Sequence, residues 1–391
     1  MTAADTFPRQ HARTQRFTLG APRDITVSAD GERVMFLRSS SGTDPVNALW
    51  VLDVANGSER LVGDPLVLLN DGTNNDLPPM ERARRERSRE GAGGITSYAT
   101  DGAGKVAAFA LGGRMFVAGL LTGLTRPLDV AGPVFDPRPD PTARRIAYAS
   151  GQLLCIGELD GTWRVLAGGD PAEADTVSWG SADFIAAEEM HRFRGYWWSP
   201  DGSTIAACRV DTSPVDEWVI ADPANPDHPV KTVRYPSAGT NNATVSLHLL
   251  GLNGSRTDVD WDQEFFPYIS SVEWTRAGLI MAVQARDQRA TMTLKIDEIT
   301  GETEVLAQDC DDAWVELVPG VPRLLPDGTL ISAADRDGAR RLMVNNQPVT
   351  PVDLQVRAVL EADAASILFQ ANPIDDSTSL HVWRRSHDGT L

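Results

Sequence analysis

The chain has 391 residues, a length that accommodates two ordinary domains or one large domain built from β-repeats. Its 36 lysine and arginine residues are outnumbered by 54 acidic residues, so the formal net charge is −18. A chain this acidic has no overall attraction for nucleic acid or for an anionic membrane surface, and we expect neither as a partner.

Seven similar units follow one another along the chain. In each, a tight-turn signal such as Asp-Gly precedes a short apolar run, and a second apolar run follows after a gap. Because Asp-Gly supplies the positive φ that hairpin turns require, each unit is predicted to be an antiparallel meander. The first runs are 33–38, 105–111, 145–149, 204–210, 279–284, 329–333 and 366–370, and the second runs are 48–54, 114–120, 152–159, 244–252, 291–298, 340–345 and 379–385.

Further strands complete the units. One precedes the first turn, at 25–27, 95–98, 196–199 and 271–274, and another often follows the second run. Four-stranded sheets repeated radially are typical of a β-propeller. We therefore predict an all-β chain, a β-propeller of four-stranded antiparallel blades that forms one domain over residues 1–391; an irregular β-sandwich, or two of them, is the alternative. The seventh unit lacks its last strand, from which we expect a truncated piece of a longer polypeptide.

One segment between the first and second units is predicted to be helical. Residues 80–91 (MERARRERSREG) lack β-branched side chains and end in glycine at a position typical of a C-cap. Glu81 and Arg85 are spaced as an i,i+4 ion pair. Arg85 and Arg89 would share a helical face, whereas Arg87 would point elsewhere. On composition alone this is equally well a solvated surface helix.

The chain carries no recognisable catalytic motif. It has no Gly-x-Ser-x-Gly sequence and no glycine-rich phosphate loop, and its six histidines lack metal-ligand spacing. We therefore expect no catalytic residue, no metal ion and no other cofactor. The first 20 residues lack the apolar segment of a secretory signal, and three widely separated cysteines favour free thiols, so we expect a cytoplasmic protein.

The densest chemical signal is the segment 184–201 (FIAAEEMHRFRGYWWSPD). Glu188 and Glu189 follow an apolar run that we predict to be a strand, and they precede two arginines and an aromatic segment. Adjacent carboxylates repel each other and gain by sharing a cation such as a primary ammonium. A solvated turn, neutralised by Arg192 and Arg194, is the alternative.

The run EEMHRFRGYWWSPDG resembles the dipeptidyl peptidase IV family of the prolyl oligopeptidase clan, in which a double-Glu motif lies shortly before a Trp-Trp-Ser-Pro-like strand. The similarity continues through 234–245 (RYPSAGTNNATV), although Ala243 stands where proline is usual. It extends through 311–315 (DDAWV) and through 325–341, where Ala334 replaces a glutamate.

The resemblance implies an eight-bladed propeller that caps an α/β-hydrolase domain of the same polypeptide, which carries Ser, Asp and His. It implies a serine-type peptidase that releases Xaa-Pro or Xaa-Ala dipeptides from peptides with a free N-terminus. Glu188 and Glu189 would bind the α-ammonium, and Arg85, Arg87 or Arg89 would hold the substrate and the acidic pair.

The resemblance thus implies that the chain gates and anchors the substrate and that it has no catalytic activity by itself. A homodimer is a further possible partner arrangement. The propeller of a prolyl oligopeptidase or an acylaminoacyl-peptidase is one alternative. A stand-alone propeller that binds proteins is another.

Overall fold

The computed structural model describes residues 5–69 and 77–391, and these are mostly in β-strands. They form seven sheets of three to five strands and one separate two-stranded hairpin. Pairing is antiparallel in nearly all cases. By its contacts the chain divides after Ser181 into two compact units. Within the described residues, no helix is both long and apolar enough to cross a membrane.

The first unit holds three of the sheets and three helices. Its helices are α1 (Phe7–Arg13), α2 (Pro65–Leu68) and α3 (Pro79–Arg87). Strands pair in chain order in each sheet, and β5 adds to β3 in parallel. The strands are β1 (Arg23–Val27), β2 (Arg33–Ser39), β3 (Val46–Asp53), β4 (Glu59–Gly63), β5 (Gly93–Gly94), β6 (Ala99–Thr100), β7 (Val106–Leu111), β8 (Arg114–Gly119), β9 (Thr125–Leu128), β10 (Phe135–Pro139), β11 (Arg145–Ser150), β12 (Leu153–Glu158), β13 (Trp163–Ala167) and β14 (Val177–Trp179).

The second unit begins with α4 (Phe184–Glu189) and continues in strands. Strand β16 pairs with β15 and β19, and β19 pairs with β20; β17 and β18 form the separate hairpin. Sheets β21–β24, β25–β28 and β29–β31 follow in chain order. The strands are β15 (Tyr196–Trp198), β16 (Thr204–Asp211), β17 (Glu217–Ile220), β18 (Lys231–Arg234), β19 (Thr244–Gly251), β20 (Arg256–Asp258), β21 (Tyr268–Thr275), β22 (Gly278–Gln284), β23 (Ala290–Ile296), β24 (Thr303–Cys310), β25 (Arg323–Leu324), β26 (Leu330–Arg336), β27 (Ala339–Val344), β28 (Gln347–Pro348), β29 (Leu354–Ala362), β30 (Ser366–Pro373) and β31 (His381–Ser386).

The predicted repeat is confirmed in the strands. Each predicted first run pairs with its second run in register, as in the pairing of Phe36 with Trp50 across β2 and β3. Alternate residues of the strands point into apolar cores, because successive side chains of a strand face opposite sides of its sheet. In the second unit, one such core joins residues of β16, β19, β21, β22 and β23, among them Leu247 and Met281, which are fully buried.

Two predicted element boundaries are wrong. Residues 95–98 do not form the first strand of the second sheet, because Gly94 turns the chain at φ +70° and the Ile95 N–H donates to the Asn47 carbonyl of β3. The strand that pairs with β7 is Ala99–Thr100. The helix predicted over 80–91 runs from Pro79 to Arg87.

Candidate functional site

Glu188 and Glu189 lie at the end of helix α4, so the prediction that they follow a strand is wrong. Asp183 caps the helix: its side chain accepts a hydrogen bond of 3.1 Å from the Ala186 N–H. An aspartate at the N-cap followed by consecutive alanines favours a helix over a strand. Ala186 and Ala187 are buried, whereas both glutamate side chains are exposed. The helix thus presents two adjacent carboxylates at its exposed end, while its two alanines are buried.

A buried ion pair holds the N-terminal end of this helix in place. Arg192 and Asp183 lie 2.7 Å apart, and their side chains are 4% and 8% exposed. The same guanidinium donates to the carbonyls of Ile269 on β21, at 2.9 Å, and of Arg194, at 2.8 Å. Because its three nitrogens are all engaged by these oxygens, Arg192 serves to hold α4 against the sheet.

A cavity of about 790 Å³ opens beside the end of α4 within the second unit. Glu189, Phe193 and Trp197 form part of its wall, and strands β21–β24 and the segment 314–322 form other parts. No hydrogen bond or ion pair engages the Glu189 carboxylate among residues 5–69 and 77–391. This carboxylate is therefore available to a ligand in the cavity.

The Arg85 side chain is hydrogen-bonded to residues of its own helix and of the segment just after it. Its Nε donates to Glu81 at 2.7 Å, which confirms the predicted i,i+4 pair, and its Nη1 donates to the Ala92 carbonyl at 3.2 Å. Arg84 also binds Glu81, at 2.7 Å. Burial of Glu81 pushes its pKa upward, but the hydrogen bonds and charges of the two arginines outweigh burial and hold the pKa below its ordinary value. The Arg85 side chain thus stabilises the insertion.

The other two predicted arginines differ in setting. Arg87 is half-buried and is the last residue of α3. Arg89 is exposed and lies beyond the C-cap Ser88, in the left-handed conformation with φ +53°. The helix ends before it, so the prediction that Arg85 and Arg89 share a helical face is wrong. The left-handed residue that follows the helix is Arg89 and not Gly91.

The five predicted site residues belong to different parts of the chain. The arginines follow β4 in the first unit, and the glutamates open the second unit. The joint action of the two groups on one substrate stays a prediction. Sequence reasoning did not identify the Asp183–Arg192 pair, although an aspartate before Phe-Ile-Ala-Ala is a recognisable N-cap signal.

Comparison with known proteins identifies a family. The model of the "Dipeptidyl peptidase IV (DPP IV) N-terminal region" matches residues 113–390. Among curated proteins, the "Inactive dipeptidyl peptidase 10" of Rattus norvegicus is 27% identical over 160 residues, which are 38% of this chain and 20% of that protein. The "Probable dipeptidyl-aminopeptidase B" of Emericella nidulans is 26% identical over 174 residues, which are 39% of this chain and 19% of that protein.

Solved structures show the fold. The dipeptidyl peptidase 4 of Porphyromonas gingivalis superposes with a TM-score of 0.70 at 19% identity, over 94% of this chain and 52% of the other. A putative dipeptidyl aminopeptidase IV of Bacteroides ovatus gives a TM-score of 0.64 at 16% identity, over 96% of this chain and 55% of the other. This chain thus spans about half the length of these solved chains. The predicted fold class, an all-β propeller of mainly four-stranded antiparallel blades, is confirmed. With most of its length matched by the family model, the chain belongs to the dipeptidyl peptidase IV family, whose N-terminal region it contains.

Proposed function

We propose that this chain is the substrate-anchoring and gating propeller of a serine-type dipeptidyl peptidase. Catalysis belongs, on this proposal, to an α/β-hydrolase domain of the same polypeptide. The observation that carries the proposal is the pair Glu188 and Glu189, exposed on a helix that a buried ion pair holds in place; Glu189 lines a cavity of about 790 Å³. This volume lies within the range of roughly 300–1,000 Å³ that is usual for small-ligand sites.

The chemistry of the pair suits a peptide N-terminus. An α-ammonium group has three N–H donors and a full charge, and two neighbouring carboxylates offer it several charged acceptors. Because α4 is fixed before the ligand arrives, its backbone loses little conformational entropy on binding. A rigid anchor for the first residue sets which peptide bond reaches a distant nucleophile, and release of Xaa-Pro or Xaa-Ala dipeptides is the proposed result.

The acidic character of the chain supports the same ligand class. A net charge of −18 attracts cationic groups and repels anionic ones at long range. A peptide with a blocked N-terminus lacks the charge that the glutamates would pair with. Such a peptide is therefore a poor substrate under this proposal.

A second candidate is a propeller that binds proteins without any catalysis in its polypeptide. It is favoured by one observation: a matched relative is named an inactive dipeptidyl peptidase. Similarity in this region therefore accompanies a protein described as inactive as well as proteins described as peptidases.

The test uses the full-length polypeptide that carries this chain, with Gly-Pro-p-nitroanilide and its N-acetylated form as substrates. Glu188→Gln and Glu189→Gln should each lower kcat/KM for the free substrate by about 30-fold to several thousand-fold, the effect of losing about 2–5 kcal/mol when one member of a desolvated charge pair is removed. Glu304→Gln is the matched control, because Glu304 is an exposed glutamate of β24 outside the cavity wall.

Three results discriminate between the candidates. Unchanged kcat/KM in both glutamate variants contradicts the anchoring role. Equal cleavage of the free and the acetylated substrate favours an endopeptidase or acylaminoacyl-peptidase instead. Absence of any hydrolysis by the folded full-length protein supports the non-catalytic candidate.

A further inference from the structure

We propose that the cavity beside Glu189 selects peptides whose first residue is lysine or arginine, with the side-chain cation received by Glu316 and Trp314. The inference rests on the proposed function, since it requires the α-ammonium to be held by Glu188 and Glu189. It adds a second point of recognition in the same cavity, on the segment that follows β24.

Trp314 and Glu316 form an aromatic and acidic pair in the cavity wall. Trp314 is 59% exposed, although tryptophan is usually well covered. Its indole N–H points to the Glu316 carboxylate across 3.4 Å, which places the charge next to the ring. The face of an indole attracts a cation, and a carboxylate beside it adds a charge-assisted hydrogen bond. An ammonium or guanidinium group suits this pair better than any neutral side chain does.

The nearby arginines leave the Glu316 carboxylate without a charged hydrogen bond. Arg340 forms a long ion pair with Glu316, at 3.8 Å, while it donates hydrogen bonds to the Asp335 carboxylate at 3.0 and 3.3 Å. Arg336, which also lines the cavity, pairs with Asp309 at 2.7 Å and donates to the Asp335 carbonyl at 2.7 Å. Arg336 and Arg340 are thus hydrogen-bonded to Asp309 and Asp335, respectively, and Glu316 retains acceptor capacity for a ligand.

Glu189 and Glu316 both border this cavity, and its volume of about 790 Å³ is large enough to hold the first residue of a peptide. The four-carbon stem of lysine carries its ammonium far from the α-nitrogen and gains by lying along apolar surface. Phe193 and Val318 supply such surface in the wall. A first residue with a carboxylate side chain would instead face Glu189 and Glu316 with like charge.

The test compares Lys-Pro-, Ala-Pro- and Glu-Pro-p-nitroanilide as substrates of the full-length polypeptide. We expect kcat/KM to be highest for Lys-Pro and lowest for Glu-Pro. In Glu316→Gln the ratio of kcat/KM for Lys-Pro to that for Ala-Pro should fall about tenfold, as for one partly exposed charge-assisted contact. Trp314→Leu should lower the same ratio about threefold, as for a cation–π contact at an exposed site. Glu304→Gln should leave it unchanged.

The outcomes separate this inference from the function on which it rests. If dipeptides are released but the Lys-Pro to Ala-Pro ratio in Glu316→Gln stays within twofold of the ratio in Glu304→Gln, the selectivity is overturned and the anchoring role stands. If Glu-Pro is cleaved as well as Lys-Pro by the unmodified protein, the selectivity is likewise overturned. If no dipeptide is released from any substrate, both proposals fall together.

Discussion

Replacing Asp183 should destabilise the second unit, because this residue does two jobs at the start of α4. Its carboxylate pairs with Arg192 in a buried setting and accepts a hydrogen bond from the Ala186 N–H. Removing one member of a buried ion pair costs about 3–5 kcal/mol. Arg192 keeps its bonds to two backbone carbonyls, so we expect the lower end of this range, about 3 kcal/mol, for Asp183→Ser. Serine preserves the cap, whereas Asp183→Ala loses it and should cost about 1 kcal/mol more.

The assay is urea unfolding followed by tryptophan fluorescence, with the free energy of unfolding obtained by linear extrapolation. Asp287→Ser is the matched control, since Asp287 is exposed and its carboxylate accepts a hydrogen bond from a turn N–H, that of Arg289, at 3.0 Å. The control should lie within about 0.5 kcal/mol of the unmodified protein. A loss below 1 kcal/mol in Asp183→Ser, or equal losses in the serine and alanine variants, would refute the reasoning.

Two further predictions concern the cysteines and the cavity wall. Burial raises the pKa of the Cys208 thiol to about 11. In native protein at pH 8, iodoacetamide should therefore alkylate the exposed Cys310 and not Cys208, as read by peptide mass spectrometry. Rapid labelling of Cys208 would contradict this prediction. Gly320→Ala should destabilise the fold by more than Gly328→Ala. Both glycines have positive φ and cost about 1–2 kcal/mol on substitution, but only at Gly320 would a Cβ collide, with the Val359 carbonyl oxygen. Equal unfolding free energies for the two variants would show that the collision is relieved.

The strands were predictable because their signals are local. In β2, apolar and turn residues within ten positions define both the strand and its hairpin, and Gly31 adopts the positive φ that the Asp-Gly signal requires. The same kind of local signal correctly predicted β16 and β22. The double-Glu motif was also visible, since its residues are adjacent in the chain and match a family pattern.

The environment of the candidate site was less accessible to sequence reasoning. The run Phe-Ile-Ala-Ala is too short for the spacing of its apolar residues to distinguish a helix from a strand. The N-cap Asp183 stabilises the helix. The end of α3 was misplaced because two residues other than glycine end the helix: Ser88 is the C-cap, and Arg89 adopts the left-handed conformation. Such choices depend on contacts outside the segment.

By itself the sequence determined the all-β repeat, the turn positions and the identity of the acidic pair. These follow from patterns in which each residue is judged against close neighbours in the chain. The tertiary structure decided which charges are already used: Arg192 is bound to Ile269, 77 residues away, and Arg85 to Glu81. It also brought Trp314 and Glu316 to the wall of the cavity that Glu189 borders. Side-chain partners and cavities arise from packing between distant segments, and no local pattern encodes them.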